Sequence, residues 1–124
     1  MNKIKIINIA RKFSLFDEKW TPKIVAELNQ QHVKLCKLQN NFVWHTHDHE
    51  DELFMIIKGT LYIDIKNNET ITLNAGELVV IPKGTEHRPR TNGEVVLCLL
   101  FEPKSTLHFG DKEDVLTSKK IDWI

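Results

Sequence analysis

The sequence predicts an all-β fold, a sandwich or barrel of antiparallel strands in a single domain. Short β-prone runs recur between about residues 23 and 103, and Asn and Gly punctuate the gaps between them. No stretch sustains the 3.6-residue apolar period that a helical fold would need. A chain of 124 residues suits one such domain and can bury a core of its own.

Residues 1–22 read as a short N-terminal arm. Ile4, Ile6, Ile7 and Ile9 are interleaved with Lys3, Lys5 and Asn8, and Asn8–Trp20, which carries Phe13, Leu15 and Phe16, is expected to hold a helical turn. The barrel core spans about 23–103. Ile24–Leu28 and Val33–Leu38 flank Asn29-Gln30-Gln31, and Gln39-Asn40-Asn41 turns into Phe42-Val43-Trp44-His45. Leu53–Lys58 and Leu61–Ile65 flank Gly59, and Lys66-Asn67-Asn68-Glu69 forms a hairpin tip before Thr70–Leu73. Asn74-Ala75-Gly76 leads to Leu78–Ile81, and Thr91-Asn92-Gly93 to the long strand Glu94–Phe101. Residues 104–124 form a mostly polar C-terminal tail that ends in Ile121-Asp122-Trp123-Ile124.

Charge narrows the function classes. Seventeen basic and seventeen acidic side chains give zero formal charge, so the basic field that nucleic acids and anionic membranes require is missing. The longest apolar run, Val95–Phe101, is far short of the ~20 residues that span a bilayer. The N-terminal Ile/Lys alternation lacks the continuous apolar region of a secretory signal, so a cytoplasmic protein is expected. Cys36 and Cys98 both lie in apolar segments and read as buried free thiols.

Chemistry concentrates in the middle third. In Trp44-His45-Thr46-His47-Asp48-His49-Glu50-Asp51-Glu52, His45 and His47 are two residues apart. On a strand they share a face, about 7 Å apart along the backbone. Two imidazoles so placed can close on one divalent ion with bonds of roughly 2.0–2.2 Å. Glu52 opens the next strand, and the Pro82-Lys83-Gly84-Thr85-Glu86 turn presents His87, so the set becomes three His and one carboxylate. His49, among Asp48, Glu50 and Asp51, reads as a solvated loop crest, and His108 is expected to lie outside the shell. A half-buried strand rarely spends two successive inward positions on unpartnered imidazoles. By parity, Val43 should face inward with His45 and His47, Phe54 and Ile56 with Glu52, and Pro89 and Thr91 with His87. Arg88 and Arg90 then point outward, as a rim for an anionic substrate or a solvated face.

These residues resemble a family. His45-x-His47-x4-Glu52-x6-Gly59 matches the first cupin motif, and Gly76-x5-Pro82-x-Gly84-x2-His87 matches the second. Asn92 stands one place beyond that motif's usual Asn, and Gln39 replaces a Gly expected six residues before His45. Both departures touch turns rather than the ligand set. The chain is similar in particular to small single-domain bacterial cupins of the mannose-6-phosphate-isomerase-like kind. The resemblance implies a single jelly-roll-like domain over 1–124, often dimeric, with one metal bound by His45, His47, Glu52 and His87.

The function expected is a metal-dependent enzyme, dioxygenase-like or isomerase-like, acting on a small organic molecule. Glu52 is its candidate catalytic base. Four protein ligands leave two positions of an octahedral ion, which favours Fe, Mn, Ni or Cu over Zn. A ligand- or metal-binding module without turnover is the alternative, and a metal-free structural barrel is disfavoured by the complete ligand set. The apolar arm and the zero net charge lead to the expectation of a homodimer.

Overall fold

The computed structural model describes residues 3–107, 110 and 120–124, and in them two antiparallel sheets face each other. One short helix, α1 (Ile9–Phe13), precedes eight strands: β1 (Lys23–Leu28), β2 (Gln31–Leu38), β3 (Glu52–Lys58), β4 (Thr60–Ile65), β5 (Ile71–Asn74), β6 (Leu78–Ile81), β7 (His87–Arg90) and β8 (Val96–Pro103). The larger sheet has the order β1-β2-β8-β3-β6, and the smaller β5-β4-β7. No helix among the described residues is long and apolar enough to cross a membrane.

The turns fall where the sequence places Asn and Gly. Asn29 and Gln30, between β1 and β2, have φ of 50° and 66°, and Asn67 at the β4–β5 hairpin tip has φ 59°. Gly59, joining β3 to β4, has φ +92°, and a Cβ there would meet Val96 Cγ2 at 3.0 Å. A side chain is therefore excluded twice over. β7 is the strand that the short runs do not announce, because His87-Arg88-Pro89-Arg90 carries no apolar alternation.

The space between the sheets is filled by alternate residues of each strand. Cys36 and Leu38 of β2, Phe54 and Ile56 of β3, Leu61 and Ile63 of β4, and Val96, Cys98 and Leu100 of β8 form its centre. Cys36 and Cys98 are free, fully buried and directly opposed across β2 and β8.

A second apolar layer covers the outside of the larger sheet. Phe13 and Phe16 of the arm pack with Val25 and Leu35, flanked by Ile7, Ile9, Val33, Leu97 and Leu99. β2 is thus buried on both faces. α1 is capped by Asn8, whose side chain accepts from the Arg11 amide at 2.9 Å. This part of the arm folds onto its own barrel, while Ile4 and Ile6 remain 88% and 98% exposed. At the chain's other end Trp123 bridges Ile24 of β1.

The segment before the first histidine departs from the expected parity. Asn41 bridges Arg90 and His45 bridges His87, so four steps along one chain face three along the other. The extra residue acts as a bulge and flips the alternation. Phe42 is buried and Val43 is 43% exposed, so Val43 faces away from His45 and His47. The other parities hold: Phe54, Ile56, Pro89 and Thr91 are buried, and Arg88 and Arg90 lie on the outer side.

Candidate metal centre

Three separate elements deliver the ligand set to the barrel interior. The bulged segment supplies His45 and His47, β3 begins with Glu52, and β7 begins with His87. All four are buried, with exposures of 3%, 3%, 6% and 1% respectively. One ligand atom from each lies within 4.8 Å of every other. Two opposed bonds of about 2.1 Å span about 4.2 Å, so a shift of a few tenths of an ångström closes the set on one ion.

Backbone carbonyls fix the tautomers. His45 Nδ1 lies 2.9 Å from the Val43 carbonyl, and His87 Nδ1 lies 2.9 Å from the Thr85 carbonyl. A carbonyl only accepts, so each Nδ1 carries the proton and each Nε2 keeps its lone pair for a ligand. Gly84, whose amide donates to the His47 carbonyl at 2.8 Å, ties the turn before His87 to the first pair.

The interior electrostatics suit a cation. Glu52 Oε1 is 3.3 Å from His87 Nε2 and 3.5 Å from His47 Nε2. His47 Nε2 is buried without a hydrogen-bond partner. Burial, then the neighbouring His87, pushes the His45 imidazole down to about 4, so it stays neutral and able to ligate at neutral pH. Burial works against Glu52 ionising, but His47 and His87 hold its carboxyl well below the usual range. Burial also works against a charged His47, yet Glu52 outweighs it and the direction is upward. The Nε2 lone pairs of His45 and His87 converging with His47 on one carboxylate suit a divalent ion of the borderline class.

Beside the cluster lies a cavity of about 20 Å³, room for about one water. Its walls are apolar, from Trp20, Leu38, Phe42, Phe54, Pro89, Leu100 and the Cys36 thiol, and His45 and Glu52 form its polar end. Trp20 stacks on Phe42 with ring centroids 4.7 Å apart, and its indole N–H donates to the Gln39 carbonyl at 2.8 Å. Phe42 meets His45 edge-on at 5.2 Å.

The remaining candidates fall outside this centre. His49 is exposed, as its acidic neighbours suggest, and His108 lies outside the described residues. Arg88 and Arg90 both donate to Asp64 Oδ2, at 2.8 and 2.9 Å, and lie over the Trp44 and Tyr62 rings. They are bound into the outer face of the smaller sheet.

Lys34 and Glu102 are buried charged residues that neither motif nor spacing singled out. They are 1% and 3% exposed and form an ion pair at 2.8 Å between β2 and β8. For Glu102 strand parity was the available signal, since it shares its face with Cys98 and Leu100, while Lys34 lies on the face of β2 that carries Cys36 and Leu38. Burial, then the neighbouring Glu52, pushes the Glu102 carboxyl up to about 8, with Lys34 opposing.

Comparison with known proteins agrees with this geometry. The cupin domain model matches residues 34–101. YdbB of Bacillus subtilis, an uncharacterised protein, is 38% identical over 84 residues, covering 67% of this chain and 74% of its own. The crystal structure of a cupin-2 domain containing protein from Shewanella frigidimarina is 44% identical with a TM-score of 0.77, over 80% of this chain and 95% of that one. Hydroquinone 1,2-dioxygenase from Sphingomonas sp. TTNP3 shares the fold at 17% identity and a TM-score of 0.72, over 80% of this chain and 32% of that one.

Proposed function

The chain belongs to the cupin domain family, and from that premise we propose that it is a metal-dependent enzyme acting on a small, largely apolar organic molecule. The observation that carries this reading is the buried three-His, one-Glu set, whose His45 and Glu52 also form the polar end of a one-water cavity with apolar walls. A divalent ion held by His45, His47, Glu52 and His87 supplies Lewis acidity and, where it is redox-active, electrons for O₂ chemistry. Fe, Mn, Ni or Cu suits a four-ligand set with two further positions better than Zn.

The chain's own residues supply the rest. His45 and His87 present their Nε2 lone pairs because Val43 and Thr85 hold the opposite nitrogens. In this reading Glu52 is the group that takes a proton from a substrate hydroxyl or enol. Trp20, Phe42, Phe54 and Leu100 exclude bulk water from that exchange. Dioxygenase-type oxidation leads among the reactions, and Lewis-acid isomerisation follows.

The small size of the cavity favours a second reading, a binding module without turnover. Elemental analysis of protein purified without added metal, followed by O₂ uptake against small phenols, thiols and diketones, separates the two. Sustained uptake with one class supports the enzyme. Stoichiometric metal with binding but no product supports the module. Protein that takes up none of these ions overturns both.

We also propose that the chain self-associates as a homodimer through the exposed part of the arm, where Ile4 and Ile6 lie off their own barrel.

A further inference from the structure

Glu52 and Glu102 stand opposite each other on adjacent strands. The register pairs Leu53 of β3 with Phe101 of β8, so one step along places Glu52 beside Glu102, and the two carboxyls are in side-chain contact. On the far side of β8, Lys34 is paired with Leu100, diagonal to Glu102, and its ammonium donates to Glu102 Oε1 at 2.8 Å. Glu102 Oε2 is buried without a hydrogen-bond partner. A buried ion pair with an orphaned oxygen contributes little to stability, and apolar residues of similar size often replace such pairs without loss. The pair abuts a ligand of the metal set rather than standing alone in the core.

We propose that Lys34 and Glu102 are positioning residues that hold the Glu52 carboxylate on the histidine side of the barrel. Glu102 occupies the space along the sheet into which Glu52 would otherwise swing. Lys34 fixes Glu102 there through the 2.8 Å hydrogen bond from its ammonium to Glu102 Oε1. Glu52 Oε1 is thereby kept 3.3 and 3.5 Å from the His87 and His47 Nε2 atoms. This inference rests on the metal-site reading and adds to it a row of side chains, Lys34–Glu102–Glu52, crossing three strands.

The double variant Lys34→Met/Glu102→Leu tests it, since replacing both buried partners together by apolar residues of similar size spares the fold. Co(II) affinity by calorimetry and the Co(II) d–d absorption spectrum are the readouts. The expected result is a protein that melts no lower than wild type, binds Co(II) roughly 10- to 100-fold more weakly and shows a shifted spectrum. Glu102→Gln, which keeps the shape and an oxygen for Lys34, should restore most of the affinity. A double variant that binds as tightly as wild type with a superimposable spectrum overturns the proposal. If the double variant does not fold, Lys34→Gln/Glu102→Gln, which keeps the side-chain volumes and a hydrogen bond between them, carries the same two readouts. If wild type binds no Co(II), the metal reading fails, and the ring ¹⁵N signals of His47 and His87 in metal-free protein decide the positioning role. Signals that move in the variant support it, and unmoved signals overturn it.

Discussion

His87 Nε2 lies 3.3 Å from Glu52 Oε1, while the other nitrogen of the same ring is held 2.9 Å from the Thr85 carbonyl. The carbonyl claims the ring's one proton in the neutral form, so a lone pair faces a carboxylate across the barrel. Two electron-rich atoms at that separation are stable only with a cation or an added proton between them. The same logic applies to His45, held by the Val43 carbonyl.

His47→Ala removes a ligand whose Nε2 is buried without a hydrogen-bond partner. It should lower metal affinity by more than the roughly 10- to 100-fold expected from losing a residue that only supports a ligand. His49→Ala, on an exposed position, should leave affinity unchanged. Inductively coupled plasma analysis after dialysis against a weak chelator reads both. Equal loss in the two variants would show that the shell is wrongly assigned.

The pH dependence of the metal-free protein should carry the His45 signature. Its folded value of about 4 lies below the roughly 6.5 of an unfolded imidazole. Between those values the unfolded chain binds a proton that the folded chain refuses, so this contribution is complete above the window and is lost as pH falls through it. His47, raised by Glu52, acts with the opposite sign, so the wild-type profile is a difference between the two. His45→Gln should therefore lose less stability than wild type between about pH 6.5 and 4. Urea midpoints across that range measure it, and parallel profiles would count against a neutral buried His45.

Gly110 gives the tail a direct link to the centre. Its φ is +61°, and a Cβ there would collide with the Thr46 carbonyl and approach His45 Cδ2 to 3.2 Å. Gly110→Ala should displace the 45–46 backbone or the backbone at residue 110 itself, and weaken metal binding with little change in the barrel's unfolding midpoint. Calorimetric titration beside a thermal melt distinguishes this from general destabilisation. Unaltered affinity would mean that the tail yields and the histidine segment does not.

Much of this was legible because the informative residues are ones that physics restricts to few environments. Asn29, Gly59, Asn67 and Gly76 mark reversals through their left-handed backbone, and the strands between them follow. His45, His47, Glu52 and His87 were readable because imidazoles at inward positions need a partner. The orientation of Val43 was not, since a one-residue bulge between Asn41 and His45 leaves no mark in residue type. Lys34 was obscured for another reason. With the arm's Phe13 and Phe16 covering the outer face of β2, apolar side chains occupy both sides of the strand, and alternation no longer says which face is inside.

The last prediction concerns assembly, and the two edges of the larger sheet set it up. Along β1 the C-terminal residues provide cover: the Ile24 amide donates to the Asp122 carbonyl at 2.8 Å, and the Ile124 amide donates to the Ile24 carbonyl at 3.1 Å. β6 ends the sheet on the other side, with Leu78 and Val80 56% and 48% exposed. A strand edge with apolar side chains and no neighbouring strand among the described residues is a template for another chain. The extended arm before α1 carries Ile4 and Ile6, 88% and 98% exposed, which gain nothing from the barrel they belong to. Burying each such side chain is worth roughly 1.5–3 kcal/mol, and zero net charge removes long-range repulsion between copies. Light scattering at micromolar concentration near neutral pH should therefore give about twice the chain mass of 14.5 kDa, and Ile4→Ser/Ile6→Ser should shift the protein toward monomer while the barrel keeps its melting temperature. A wild-type mass equal to that of one chain would rule the dimer out. A dimer indifferent to both substitutions would place its interface elsewhere than the arm.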